Sequence, residues 1–129
     1  MTVKVVKLSI PNKNKTIINS DMTDYLELNN EYVVLGLSVE KNISYVEIFD
    51  GIHLIAVPLN LFVIIDPKVS KFWKIRTCND GSMTLWPHEF YIDFFHDNLS
   101  DEKPEIVRIF NQLMEKIIIE SNSPAGALE

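Results

Sequence analysis

The middle of the chain sets the strongest constraint on its fold. Tyr45-Val46-Glu47-Ile48-Phe49 is followed by Asp50-Gly51, then Ile52-His53-Leu54-Ile55-Ala56-Val57, then Pro58. Leu59-Asn60-Leu61 and Phe62-Val63-Ile64-Ile65-Asp66 complete the stretch. Runs of β-branched and aromatic residues punctuated by turn formers read as strands. Asp-Gly supplies the positive φ that a tight primed turn needs, so the first two runs predict a hairpin. Pro58 cannot donate to a ladder, so the second strand ends or turns there. Residues 59–61 then predict a single 3₁₀-like turn before residues 62–65 resume as a strand. At 129 residues, 47% hydrophobic and 23% charged, the chain is expected to form one globular domain over residues 1–120, with a core of its own.

The flanking segments extend the β reading. Residues 3–10 alternate in part, with Val6, Leu8 and Ile10 against Lys7 and Ser9, and predict a strand. Pro11-Asn12-Lys13-Asn14-Lys15 reads as a turn, Thr16-Ile17-Ile18 as a short return strand and residues 19–24 as a loop. Asn29-Asn30 is a turn pair that tolerates positive φ. Residues 31–39 predict one strand with Val33, Leu35, Leu37 and Val39 on a shared face. Gly36 inside it predicts a bulge or a close backbone approach. Further on, Trp73 and Ile75 are expected inward and Lys74 and Arg76 outward. Asn79-Asp80-Gly81 marks a second hairpin turn, Met83-Thr84-Leu85-Trp86 the return strand, and Pro87 its end. This second unit echoes the first: strand, Asp-Gly turn, strand, Pro, and an aromatic four residues beyond the Pro, Phe62 and Tyr91 respectively.

Residues 88–95 are aromatic and predict either a short helix or an irregular clamp over the core. Residues 100–121 predict one helix, capped by Ser100 or Asp101, with Pro104 tolerated in its first turn. Ile106, Phe110, Leu113 and Ile117 recur at helical spacing, joined by Ile109, Met114 and Ile118. Arg108, Asn111, Gln112, Glu115 and Lys116 form the wet face. The apolar stripe is expected to pack on the sheet. Pro124 and Gly126 break a helix, and Leu128-Glu129 reads as an expression-vector scar, so residues 121–129 are expected to be a flexible, partly vector-derived tail.

Charge narrows the partners. The formal net charge is −6 and the pI about 5.0, which repels phosphate backbones and suits a basic protein partner instead. No nucleic acid is expected. No intramolecular disulfide can form from the single Cys78. No charged segment followed by an apolar one opens the chain, and the longest apolar run is short and interrupted by Pro58 and Asn60. The expectation is a cytoplasmic protein with no membrane partner.

Candidate chemistry concentrates late in the chain. His88, Glu89, Asp93 and His96 are of metal-ligand type. Position 92 is Ile, so His-Glu-x-x-His fails, and on a helix the two His would stand ~11 Å apart along the axis. A surface cluster is the preferred reading, with no metal and no cofactor. Cys78 with His88 or His96 could pair as nucleophile and base, but Cys78 adjoins a turn and reads as an incidental thiol. Asp93 with Asp97, and Glu47 with Asp50, are formal acid–base candidates against solvated charge. No phosphate loop, dinucleotide fingerprint or nucleophile elbow is present. The aromatics Phe90, Tyr91, Phe94 and Phe95, with Trp73 and Trp86, fit either a small core or a binding face. Their neighbours Glu89, Asp93 and Asp97 are acidic, which disfavours base stacking.

Residues 26–66 resemble an SH3-like small barrel. The resemblance rests on Tyr32-Val33-Val34-Leu35-Gly36, the Asp50-Gly51 hairpin, and Val57-Pro58 followed by a one-turn element and an apolar last strand. SH3 domains proper carry a Tyr three residues after the Pro, where this chain has Leu61, and an Ala-Leu-Tyr-Asp-Tyr motif that is missing here. A Pro-rich ligand therefore does not follow from the likeness. Residues 32–110 also resemble a loosely defined class of small bacterial proteins with a Pro-x-x-x-Phe turn, a nearby Trp, a second Asp-Gly-to-Pro hairpin, an aromatic clamp and a C-terminal helix. Some proteins of that kind act as immunity partners of secreted toxins. The expected fold is a β-rich α+β domain, an SH3-like antiparallel barrel or curled sheet with the C-terminal helix packed on it. The expected function is a non-enzymatic interaction module of immunity or antitoxin type. It would bind a basic protein through Trp86, His88, Glu89, Tyr91, Asp93, His96 and Asp97, with no catalytic residue. The alternative is a small metal-dependent hydrolase using His88, Glu89, Asp93 and His96. A third reading is a structural subunit that dimerises through its helix stripe.

Overall fold

The computed structural model describes residues 1–7 and 26–122. The turn, return strand and loop expected over residues 11–24 lie outside the described residues, as does most of the expected tail. Two antiparallel sheets result. In the first, β1 (Thr2–Val5) lies between β2 (Glu31–Val33) and β6 (Phe62–Asp66). In the second, β3 (Gly36–Val39) is central. Hairpin β4 (Ser44–Phe49) and β5 (Leu54–Pro58) flanks it on one side, and hairpin β7 (Trp73–Thr77) and β8 (Met83–Pro87) on the other, giving the order β5-β4-β3-β8-β7.

Among the described residues the strands do not close into the barrel that the sequence suggested. The single strand expected over residues 31–39 is two, divided at Val34-Leu35, which are both fully buried. The Val34 N–H donates to the Met1 carbonyl of the first sheet, and the Leu35 N–H donates to the Glu47 carbonyl of the second. This corner hands the chain from one sheet to the other. Pro58 and the 3₁₀ turn Leu59–Leu61 make the second such corner, between β5 and β6.

Alternation along β4 explains the layering. Val46 and Ile48 join Ile55, Val57 and Trp73 against Val3, Val5 and Phe62, which fills the space between the sheets. Glu47 and Phe49 point to the opposite face, where the helices lie. Phe110, Leu113 and Ile117 of α2 (Pro104–Asn122) are buried there with Leu35, Phe90 and Phe95. The Phe49 and Phe110 rings meet edge to face at 5.1 Å. The expected wet face of the helix is exposed, and Ile118 sits with it at 41% exposure. Ile75, expected inward, is 68% exposed because β7 is the sheet's edge.

The helix expected over residues 100–121 is found as α2, beginning at Pro104. α1 (Phe95–Ser100) precedes α2. Between them the Glu102 N–H donates to the Leu99 carbonyl and the Lys103 N–H to the Asn98 carbonyl, with Glu102 at φ 56°. This is a Schellman motif whose left-handed position holds Glu in place of Gly. Pro104 disfavours helical backbone at Lys103, so α2 starts at the Pro itself.

The echo seen in the sequence is a repeated device. Pro58 (φ −56°, ψ 133°) and Pro87 (φ −55°, ψ 150°) each end a hairpin and open a 3₁₀ turn, Leu59–Leu61 and His88–Tyr91. The two Asp-Gly turns are longer than tight primed turns. Asp50 Oδ1 accepts the N–H groups of Ile52 and His53, and Asp80 Oδ1 accepts the N–H and hydroxyl of Ser82. Among the described residues, no helix is long and apolar enough to cross a membrane.

Candidate functional site

The candidate face is built where the second hairpin meets α1. Trp86 points to the helix side of β8, directly across from Lys74 on β7. Its indole lies on β3, because Gly36 offers no side chain: a Cβ there would stand 2.7 Å from Trp86 Cδ1 and 3.1 Å from Glu47 Oε2. Gly36 is thus the close approach its position in a strand implied. Pro87 turns the chain into residues 88–91, which sends Phe90 inward and carries Tyr91 back over the sheet. The Tyr91 hydroxyl reaches Thr84 Oγ1 at 2.7 Å and the Lys74 carbonyl at 3.0 Å, and the Arg76 guanidinium stands 4.1 Å from its ring centre. Tyr91 is a strut between the 3₁₀ turn and the β7–β8 hairpin.

Two histidines meet two glutamates. His96 Nε2 on α1 lies 2.8 Å from Glu47 Oε1 on β4. The contact lacks the alignment of a hydrogen bond, and Glu47 Oε2 and Trp86 Nε1 are buried with no hydrogen-bond partner among the described residues. The His96 ring is packed by Trp86, Phe90 and Phe95, with centres 5.2, 5.1 and 5.9 Å away. His88 is exposed and places Nδ1 3.1 Å from Glu89 Oε1, while Lys116 Nζ of α2 lies 3.2 Å from Glu89 Oε2. Glu89 is buried and serves as a bridge between helix and turn.

The seven predicted residues therefore divide. Trp86, Glu89, Tyr91 and His96 hold α1, α2 and the 3₁₀ turn to the sheet. His88, Asp93 and Asp97 are exposed. The metal-type set does not converge, and no three His, Cys, Asp or Glu among the described residues form a group that could hold an ion. The acid–base pairings change too: Glu47 meets His96, and Asp50 lies 3.6 Å from His53. Cys78 is exposed in the β7–β8 loop. A glutamate beside a histidine is the base-and-orienter half of a hydrolytic triad. Among the described residues, however, no hydroxyl or thiol is hydrogen-bonded to either. Surface grooves of about 550 Å³ outside α2 and about 670 Å³ beside β6 are lined by other residues.

One residue of the segment stands apart. Phe94 is 75% exposed and has φ 59° and ψ 24°. It occupies the third position of the turn closed by the Phe95 N–H and the Ile92 carbonyl, a place where positive φ favours Gly or Asn. A bulky aromatic there is a genuine outlier. Ile92, two residues before it, is 41% exposed, and Asp93, Asp97, Asp101 and Glu102 of the same segment are exposed acids. The sequence counted Phe94 only as one aromatic among several, since nothing local marks a Phe for left-handed backbone. Comparison of the chain with family models, with curated proteins and with solved structures returned no match.

Proposed function

We propose that this protein is a non-enzymatic interaction module that binds a basic protein partner on the corner formed by residues 92–102. Phe94 is the apolar anchor, and Asp93, Asp97, Asp101 and Glu102 form an acidic rim. The concrete form of the role is an immunity- or antitoxin-type inhibitor. The observation that carries this reading is Phe94: an aromatic ring held in solvent, 75% exposed, on a backbone conformation that disfavours it. Strain of that kind costs of order 1–3 kcal/mol and is concentrated at functional sites. Buried aromatic anchors surrounded by polar rims dominate interface energetics. The acidic rim adds steering toward a basic surface.

Affinity capture from native lysate tests the reading. The unmodified protein should retain a stoichiometric protein of basic pI. Phe94→Asn, and separately Asp93→Lys with Asp97→Lys, should lose it while keeping the circular dichroism of the parent. No stoichiometric partner for the parent, or unchanged capture by both variants, rejects the proposal. One metal ion per purified chain would move the reading to the hydrolase.

A further inference from the structure

The opposite charge collects at a second place. No Asp or Glu lies between Asp66 and Asp80, and the same interval carries Lys68, Lys71, Lys74 and Arg76. In a chain of net charge −6 this is a local reversal of sign. Among the described residues, none of these four cations has a carboxylate within ion-pair distance. Two are held in place by rings instead: Arg76 over Tyr91 at 4.1 Å, and Lys71 over Phe72 at 5.2 Å. Lys74 and Arg76 lie on β7, whose only strand neighbour among the described residues is β8, so its outer edge has no strand partner among them. Both point to the helix side of the sheet, across from Trp86 and Thr84. Ile75 points to the other side and is 68% exposed.

We infer that the β7 edge is a docking site for an extended acidic peptide segment of a partner protein, added as a further strand. An open edge supplies main-chain hydrogen bonds, and alternate side chains supply specificity. Directly opposed residues share a face. A ligand strand alternating acidic and apolar residues would therefore set carboxylates against Lys74 and Arg76 and an apolar side chain against Ile75. Lysine on an edge also discourages unwanted pairing, but freely moving side chains suffice for that. Rings that fix the cations lower the entropy lost when they meet a carboxylate. The charge of this edge is opposite to that of the acids in residues 92–102.

Fluorescence anisotropy with labelled synthetic peptides tests this on the intact protein. A short peptide alternating glutamate and valine should bind, and the affinity should fall as salt is raised. The lysine–valine counterpart should not bind. A peptide with the same glutamates but proline at the alternate positions should bind at least roughly tenfold more weakly, a loss of about 1.4 kcal/mol, because it cannot complete the ladder. Lys74→Glu with Arg76→Glu should abolish binding of the acidic peptide. No binding by the acidic peptide, equal binding by the proline peptide, or stronger binding by a single-stranded oligonucleotide would each overturn the inference. The peptide series needs no variant, so a folding defect in the double substitution leaves the test decisive.

Discussion

At Gly36 the β3 backbone and the Trp86 indole meet so closely that one methyl group would part them. Gly36→Ala places a Cβ 2.7 Å from Trp86 Cδ1, and the indole cannot withdraw, because Tyr91, Phe90 and His96 pack around it. The expected cost is about 1–3 kcal/mol, the usual penalty for overfilling a packed site. It is measured as a lowered urea midpoint with a changed tryptophan emission. Phe94→Asn should act in the other direction. Asn tolerates left-handed backbone, so folding stability should rise by roughly 0.5–1 kcal/mol while partner capture is lost. A stability gain coupled to a loss of binding is what a strained anchor predicts and a packing residue does not. These two positions also show what single residues disclose. A lone Gly inside an apolar strand announces a close approach, because few other causes exist. Glu47 discloses nothing: alternation puts it opposite Val46 and Ile48, which reads as solvent-facing until α1 and His96 cover that side.

At the scale of elements, the two Asp-Gly turns add an acid-sensitive contribution to stability. Burial raises the Asp50 carboxyl, but the N–H groups of His53 and Ile52 and the His53 side chain together outweigh it and hold the pKa below the ordinary 3.8. The Ser82 hydroxyl, followed by its N–H, lowers Asp80 in the same sense. A depressed folded value means that the unfolded chain binds more protons in this range. The stabilisation is therefore complete above the ordinary aspartate value and lost as pH falls through the depressed one. Urea midpoints followed from roughly pH 5 to roughly pH 2 should decline in the parent. Asp50→Asn with Asp80→Asn keeps an oxygen acceptor in each turn and removes both titrations, so its decline should be shallower. Equal slopes would show that these turns contribute nothing to the acid limb. Turn positions, both Pro-ended hairpins and the α2 stripe were legible because each is encoded within a few residues. The partition into two sheets was not: Tyr32-Val33-Val34-Leu35 reads as an uninterrupted strand, and only the long-range hydrogen bonds of Val34 to Met1 and Leu35 to Glu47 divide it.

Over the whole molecule, charge and sheet edges decide how copies meet. The β7 edge carries Lys74 and Arg76, whereas on β6, also an edge among the described strands, Val63, Ile64 and Ile65 are 47%, 46% and 46% exposed. An exposed apolar edge is a template for pairing with another chain. At neutral pH the net charge of −6 keeps copies apart by mutual repulsion. That repulsion vanishes near the pI of about 5.0, so light scattering should reach a maximum there and fall on either side. Val63 points away from the inter-sheet core, across from Lys4, so Val63→Lys places charge on the edge without entering the packed layer. This variant should suppress the scattering maximum measured at its own pI. Thr77→Lys adds the same charge to the β7 edge, already cationic, and should leave a maximum of parental height at its own pI. If neither variant changed the maximum, or both lowered it equally, the β6 edge would have no special part in association. If Val63→Lys alone reduced it, the apolar edge would be the surface through which copies meet once repulsion is gone.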